Sequence, residues 1–165
     1  MAEKKTVLII DDKVVAESYS DPLKEYSEFD VHVVHDLGEA IRLIQRIDFD
    51  VDVIVAEHFL DYGVASRLLE GGTDPHMWKG AARLFAFVRK YYPRKTQFVL
   101  LGSDADYLKE TRDKFDIPVN RVFLKPFSTF VFEYMVCQLC GVTCRVPEWI
   151  IKEEMTVGRL GDVRF

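Results

Sequence analysis

Clustered basic residues are missing. The 22 Lys and Arg are outnumbered by 27 Asp and Glu, for a net charge of −5, whereas neutralising a phosphate backbone needs cations gathered on one face. Even the basic residues near the C-terminus (Arg145, Lys152, Arg159, Arg164) are balanced by Glu148, Glu153, Glu154 and Asp162. Cysteine is scarce as well. Three residues, an odd count in 165, do not make a secreted disulfide framework. Long apolar runs are absent. The N-terminal MAEKKTVLII has only four apolar residues after its lysines and threonine, too few for a signal-peptide core, and nothing approaches the roughly 18 residues of a membrane span. There is no internal repeat and no low-complexity segment. The expectation is a soluble, reducing, cytoplasmic setting, with neither nucleic acid nor membrane as a partner.

What is present is a chain that can build a core. The 48% hydrophobic content is ordinary for a globular domain, and the length suits one domain with an appendage. Four short apolar runs stop abruptly at polar residues. Val7 to Ile10 ends in Asp11-Asp12, and Val53 to Ala56 ends in Glu57. Phe98 to Leu101 ends in Gly102-Ser103-Asp104, and Val122 to Leu124 ends in Lys125-Pro126. With Val31 to His35 they make five strands, and β-branched runs of this kind read as strands buried on both faces. Helical patterns alternate with them. Lys13 to Phe29 is a weak one, which Pro22 should kink or restart, with Asp21 free to cap the second part. Asp36 and Glu39 have the capping-box spacing ahead of a helix from Leu37 to Ile47. Further helices are expected over Ala81 to Tyr91, over Ala105 to Phe115, and from a Ser128 cap to about Leu139, with Gly141 as terminator. The alternation predicts a doubly wound α/β fold around a parallel sheet.

One connection does not fit the usual length. His58 to Lys79 contains Gly63, Gly71-Gly72 and Asp74-Pro75, with room for a helical turn or two over Ala65 to Glu70. Strand-to-helix connections usually take about 2–6 residues, so this extended loop after the third strand is expected to be either functional or mobile. The domain is expected over residues 1–141, and 142–165 form a C-terminal extension. Val146, Trp149, Ile150, Ile151 and Met155 concentrate apolar surface there, so the extension should pack back on the domain or dock on a partner.

In such a sheet, chemistry gathers beyond the carboxyl ends of the strands. Asp11, Asp12, Glu57, Ser103 and Lys125 would all meet there. Clustered acids repel unless a lysine or a hard cation neutralises them, and magnesium takes one or two carboxylates with waters and phosphate oxygens. Acids at strand ends also serve capping and solubility alone. Three other features have modest readings. Cys137, Cys140 and Cys144 have a ligand-like spacing, but two of them fall on a helix at i, i+3 with no fourth ligand, which favours core packing. His58 beside Glu57 offers an imidazole for catalysis but reads first as a solvated loop histidine, and His32 and His35 read as exposed strand residues.

The runs VLIIDD, DVIVAE and VFLKPF, in this order and spacing, resemble those of response-regulator receiver domains, the phosphoacceptor modules of two-component signalling. The resemblance covers about residues 5–140. It implies a flavodoxin-like five-stranded parallel sheet of order 2-1-3-4-5. Asp11 and Asp12 match the family's metal-binding acids, so a magnesium site of Asp11, Asp12 and Glu57 is one option and no cofactor the other. Lys125 matches the lysine that contacts the acceptor, and Pro126 the proline usually preceded by a cis peptide. The chain departs from the family in several places: Leu60-Asp61 replaces the usual Met-Pro turn after the acceptor, and the long loop looks like an insertion at about residues 61–79. Glu57 stands at the phosphoacceptor aspartate. Gly102 falls where a switch Thr or Ser is usual, unless a one-residue shift gives that place to Ser103. Val122 stands at a common switch aromatic.

Glutamate is one methylene longer than aspartate. This moves the carboxylate by roughly 1.5 Å, and a misplacement of about 1 Å can cost on the order of a hundredfold in rate. The longer arm can also reach Lys125. The expectation is therefore a stand-alone atypical receiver, a pseudo-receiver outside the ordinary phosphorelay. It has no catalytic residue of its own and is not an enzyme. It works by protein–protein interaction with another signalling protein through the fourth helix, fifth strand and fifth helix; homodimerisation is left open. The alternatives are a magnesium-dependent receiver phosphorylated at another acid such as Asp61, and a small-molecule-binding flavodoxin-like module with the long loop as lid.

Overall fold

The computed structural model describes residues 3–46, 50–59, 80–92 and 96–156. Five strands form one all-parallel sheet in the order β2-β1-β3-β4-β5. They are β1 (Lys5–Ile10), β2 (Phe29–Val34), β3 (Val53–Glu57), β4 (Gln97–Gly102) and β5 (Val122–Leu124). The helices are α1 (Lys13–Lys24), α2 (Leu37–Ile44), α3 (Gly80–Tyr91), α4 (Ala105–Phe115), α5 (Thr129–Cys140) and α6 (Glu148–Thr156). This is the doubly wound flavodoxin-like architecture expected of the sequence. The insertion at 61–79, with Asp61 and the turns expected over Ala65 to Glu70, lies outside the described residues, as do Ile47 and the last residues of the extension.

Strand side chains alternate between faces, and this sorts the apolar runs into two cores. Leu8, Ile10, Ile54, Ala56, Phe98 and Leu100 face α2, α3 and α4, where Ile41, Leu84, Phe85 and Leu108 meet them. Val7, Ile9, Val53, Val55, Val99 and Leu101 face the other way, onto Ala16, Tyr19 and Leu23 of α1 and Phe132 and Val136 of α5. Runs without polar alternation are what a sheet covered on both faces requires.

Local signals set most helix ends. Asp12, Asp36, Asp104 and Ser128 cap α1, α2, α4 and α5 by accepting backbone N–H bonds in the first turn. Glu39 completes a capping-box variant by accepting from His35 N–H at 3.1 Å. Gly141 ends α5 in the left-handed region, at φ 68°, where an L side chain would be strained. Val142 N–H then bonds back to Cys137 O at 2.9 Å. One expectation fails here. Pro22 does not restart α1, which is assigned as one helix through it, and Asp21 pairs with Lys24 at 2.6 Å instead of capping. Pro22 sits in the last turn, so little of the ladder is lost, and the buried stripe Ala16–Tyr19–Leu23 holds the helix on the sheet.

The extension packs back in part. Ile151 on α6 is only 4% exposed, whereas Trp149 is 66% exposed. Between α5 and α6, Tyr26 anchors the chain: its hydroxyl donates to Glu133 Oε1 and accepts from Arg145 N–H at 2.8 Å. The Arg145 guanidinium lies 4.4 Å from the centre of the Tyr26 ring. Among the described residues no helix is long and apolar enough to cross a membrane.

Candidate functional site

The sheet register brings the predicted site residues to one edge. Ile10 pairs with Ala56, so Asp11, the next residue, stands beside Glu57. Glu57 pairs with Leu101, and Gly102 with Leu124 just before Lys125. Lys125 N–H continues the β4–β5 ladder by donating to Gly102 O at 2.7 Å, and the Lys125–Pro126 peptide is cis, as the resemblance implies.

At the centre is a lysine between two acids. Lys125 Nζ donates to Asp11 Oδ2 at 2.6 Å and pairs with Glu57 Oε2. Asp11 and Glu57 are only 2% and 8% exposed. Tyr19 adds a donor that sequence reasoning missed: its hydroxyl gives a second bond to Asp11 Oδ2, at 2.7 Å. Asp11 Oδ1 accepts from Asp12 N–H at 2.8 Å. Glu57 Oε1 accepts from His58 N–H at 3.0 Å. The signal for Tyr19 was its place on the buried stripe of α1, which points it at the sheet beside the acids.

Burial holds the Glu57 carboxyl above its ordinary range, and the Lys125 hydrogen bond and charge only partly counter this. For Lys125, burial pulls the ammonium down, but the hydrogen bonds and charges of Asp11 and Glu57 more than offset it and hold it above its usual range. Burial first, then the Asp11 charge and hydrogen bond, pushes the Tyr19 phenol far up. The group is one hydrogen-bonded unit in which two carboxylates share the single Lys125 ammonium and Asp11 takes the Tyr19 hydroxyl as well.

A hard cation needs carboxylate oxygens left free for it. Both Asp11 oxygens already accept protein donors, and Glu57 is held by Lys125 and the His58 amide. Asp12 is turned outward, and its Oδ1 caps α1 through Val15 N–H at 3.1 Å. Among the described residues no three His, Cys, Asp or Glu side chains gather closely enough to hold a metal ion. The carboxylates of Asp11 and Glu57 are thus arranged around an ammonium while that of Asp12 caps a helix, and the set does not fit magnesium.

The switch-equivalent residues are arranged differently. Gly102 is buried at the end of β4, Ser103 is exposed just beyond it, and Val122 is buried at the start of β5. A Cβ on Gly102 would lie 2.9 Å from Leu108 Cδ2 and 3.2 Å from His58 Cβ. The place of a switch hydroxyl is therefore filled by two other side chains.

His58 corrects an expectation. It is no solvated loop residue but 1% exposed. Its Nε2 shares a 3.1 Å hydrogen bond with Thr111 Oγ1, and its ring packs edge-on against Phe59 and beside Tyr107, with centroids 4.8 and 5.7 Å away. The available signal was the i, i+4 spacing of Tyr107 and Thr111, which puts both on one face of α4. His35, read as a strand residue, lies just past β2, with Nδ1 3.0 Å from the Asp11 carbonyl; His32 is half-buried in β2. The three cysteines are free thiols in or against the α1–α5 core. Burial pushes the Cys137 thiol up to about 12 and that of Cys140 up to about 11.

Solved structures that superpose on this chain include receiver domains. The signal receiver domain of an HD domain-containing protein from Pseudomonas fluorescens Pf-5 superposes with a TM-score of 0.62 at 18% identity, covering 84% of this chain and 96% of that one. The receiver domain of the Francisella response regulator 1452 gives 0.61 at 23% identity, covering 84% and 98%. A response regulator from Thermotoga maritima gives 0.59 at 18% identity, covering 84% and 98%. No protein-family model and no curated protein matches the sequence. At these identities the likeness establishes the receiver fold.

Proposed function

We propose that this chain is a receiver-fold signalling module that has left aspartyl phosphorylation and acts by presenting a constant surface to another signalling protein in the cytoplasm. One observation carries the reading: Glu57, at the phosphoacceptor position, is buried and paired with Lys125, which Asp11 holds from the other side. The cation that would meet an incoming phosphoryl group is already satisfied. A phosphoryl group brings about −1.5 to −2 charges and three acceptor oxygens, so Glu57 reproduces it only in part. The filled space above Gly102 removes the hydroxyl that would read the difference. The surface proposed for contact is that of α4, β5 and α5, with no enzymatic step.

The test is intact mass after incubation with magnesium and acetyl phosphate. The wild type is expected to gain no adduct, and Glu57→Asp a labile one. A phosphoryl adduct on the wild type, at Asp61 or elsewhere, would sink the reading.

A further inference from the structure

The structure assigns His58 as the strut that positions α4, independently of the charge state of Glu57. This deepens the proposed function and rests on it only in taking α4 as part of the contact surface. The backbone of His58 is fixed by the sheet: its N–H extends the β3–β4 ladder to Leu101 O at 2.7 Å, and the bond to Glu57 Oε1 at 3.0 Å is a second, longer branch of the same donor. Its side chain turns to α4. Nε2 reaches Thr111 in the second turn, and the ring lies against Tyr107 in the first. Phe59 closes the group by meeting Tyr107 edge-on at 5.5 Å. Leu108 lies between these positions and occupies the space over Gly102.

The arrangement joins one strand end to two successive turns of one helix. Three features act together: a buried polar bond, aromatic contacts, and a glycine that lets the helix come close. A hydrogen bond buried this completely is directional, and losing one partner leaves the other unsatisfied. The position of α4 is therefore set by residue 58 and not by the acid before it. A strut at the residue after Glu57 ties the helix to the sheet ladder and not to the acid. His58 is a positioning residue, and Thr111 is the partner through which it acts.

The test is residue-resolved amide exchange on the full chain, with the imidazole nitrogen resonances of His58 read in the same samples. Thr111→Val removes the hydroxyl at nearly constant volume. It is expected to speed exchange across 105–115 by about tenfold, the loss of one buried hydrogen bond, while amides of β1 and α5 stay as they are. The His58 Nε2 resonance should lose its hydrogen-bonded shift. Thr111→Ser should restore both readouts, which a mere packing role would not do. Glu57→Gln should leave exchange in α4 within about twofold of wild type. The inference is overturned by unchanged α4 exchange in Thr111→Val, or by Glu57→Gln loosening α4 as much as Thr111→Val does. An adduct on wild type in the phosphodonor experiment would remove the proposed function and leave these exchange results to decide the strut on their own.

Discussion

Lys125 Nζ lies 2.6 Å from Asp11 Oδ2 and closes on Glu57 from the same position. The three residues come from the ends of β1, β3 and β5, so the pairing ties together strands that are not all neighbours. Its energetic weight lies in what removal would leave. Breaking a buried ion pair by deleting one partner typically costs about 3–5 kcal/mol, because the remaining charge has no compensation. Lys125→Met should lower unfolding free energy by about that much in urea titration. Glu57→Gln combined with Lys125→Met should cost less than Lys125→Met alone, since one of the two stranded acids is gone. Equal losses would mean that Glu57 and Lys125 do not interact.

The burial of Glu57 makes stability depend on pH with a definite sign. Its folded value is raised above the ordinary 4.5, so just above that pH the folded chain keeps a proton that the unfolded chain has released. Stability follows the proton difference between the unfolded and folded states. This group's contribution is thus largest at acid pH and declines as pH rises through the window above 4.5. Glu57→Gln cannot titrate. Between about pH 4 and about pH 7 its stability should therefore rise relative to wild type. Paired denaturation curves across that range check this, and a relative fall would show that Lys125 overrides burial.

Much of this was legible because it is local or periodic. Apolar runs ending at Asp11, Glu57 and Lys125 announce buried parallel strands and put their polar ends at one edge. The caps at Asp36 and Ser128 and the stop at Gly141 are fixed by neighbours a few residues away. The contact of Glu57 with Lys125 follows from side-chain length once the edge is known. What stayed hidden depends on partners far along the chain. His58 is buried only because Thr111 and Tyr107, about fifty residues later, form a wall for it. Glu133 sits in the core only because Tyr26 reaches it across α1 and α5. Pro22 was misjudged for the opposite reason: a strong local rule was applied where the last turn had few bonds left to lose.

Gly102 offers a direct probe of the closed switch position. An added Cβ would approach Leu108 Cδ2 to 2.9 Å and His58 Cβ to 3.2 Å. The leucine tip can move, but it is packed in the core between β4 and α4, and the histidine Cβ is held by the ladder. Overpacking of this kind typically costs about 1–3 kcal/mol. Gly102→Ala should fall in that range by thermal or urea unfolding, and Gly102→Thr, which carries the receiver-type hydroxyl, should lie at its upper end or beyond. A neutral Gly102→Thr would mean that α4 yields freely, and would restore room for a switch residue.

The last prediction concerns how firmly the segment after Gly141 is attached. Two kinds of contact hold it. Ile151 buries its side chain at 4% exposure, and the Tyr26 hydroxyl joins Arg145 N–H to the buried Glu133 carboxylate. Tyr26→Phe keeps the ring under the Arg145 guanidinium but strips the carboxylate and the amide of their shared partner. A buried polar group left unsatisfied costs about 1–3 kcal/mol, and more if charged, so Tyr26→Phe should lose at least the lower figure although only one oxygen is removed. Ile151→Ala should cost about 2–5 kcal/mol if the site does not collapse. Trp149 on the same helix is mostly exposed, and Trp149→Ala should stay within about 0.5 kcal/mol of wild type, as surface substitutions do. Urea unfolding, followed by circular dichroism in all three variants, separates these outcomes. A neutral Ile151→Ala would show that α6 is not part of the folded unit, and a costly Trp149→Ala would show that its exposed face is covered.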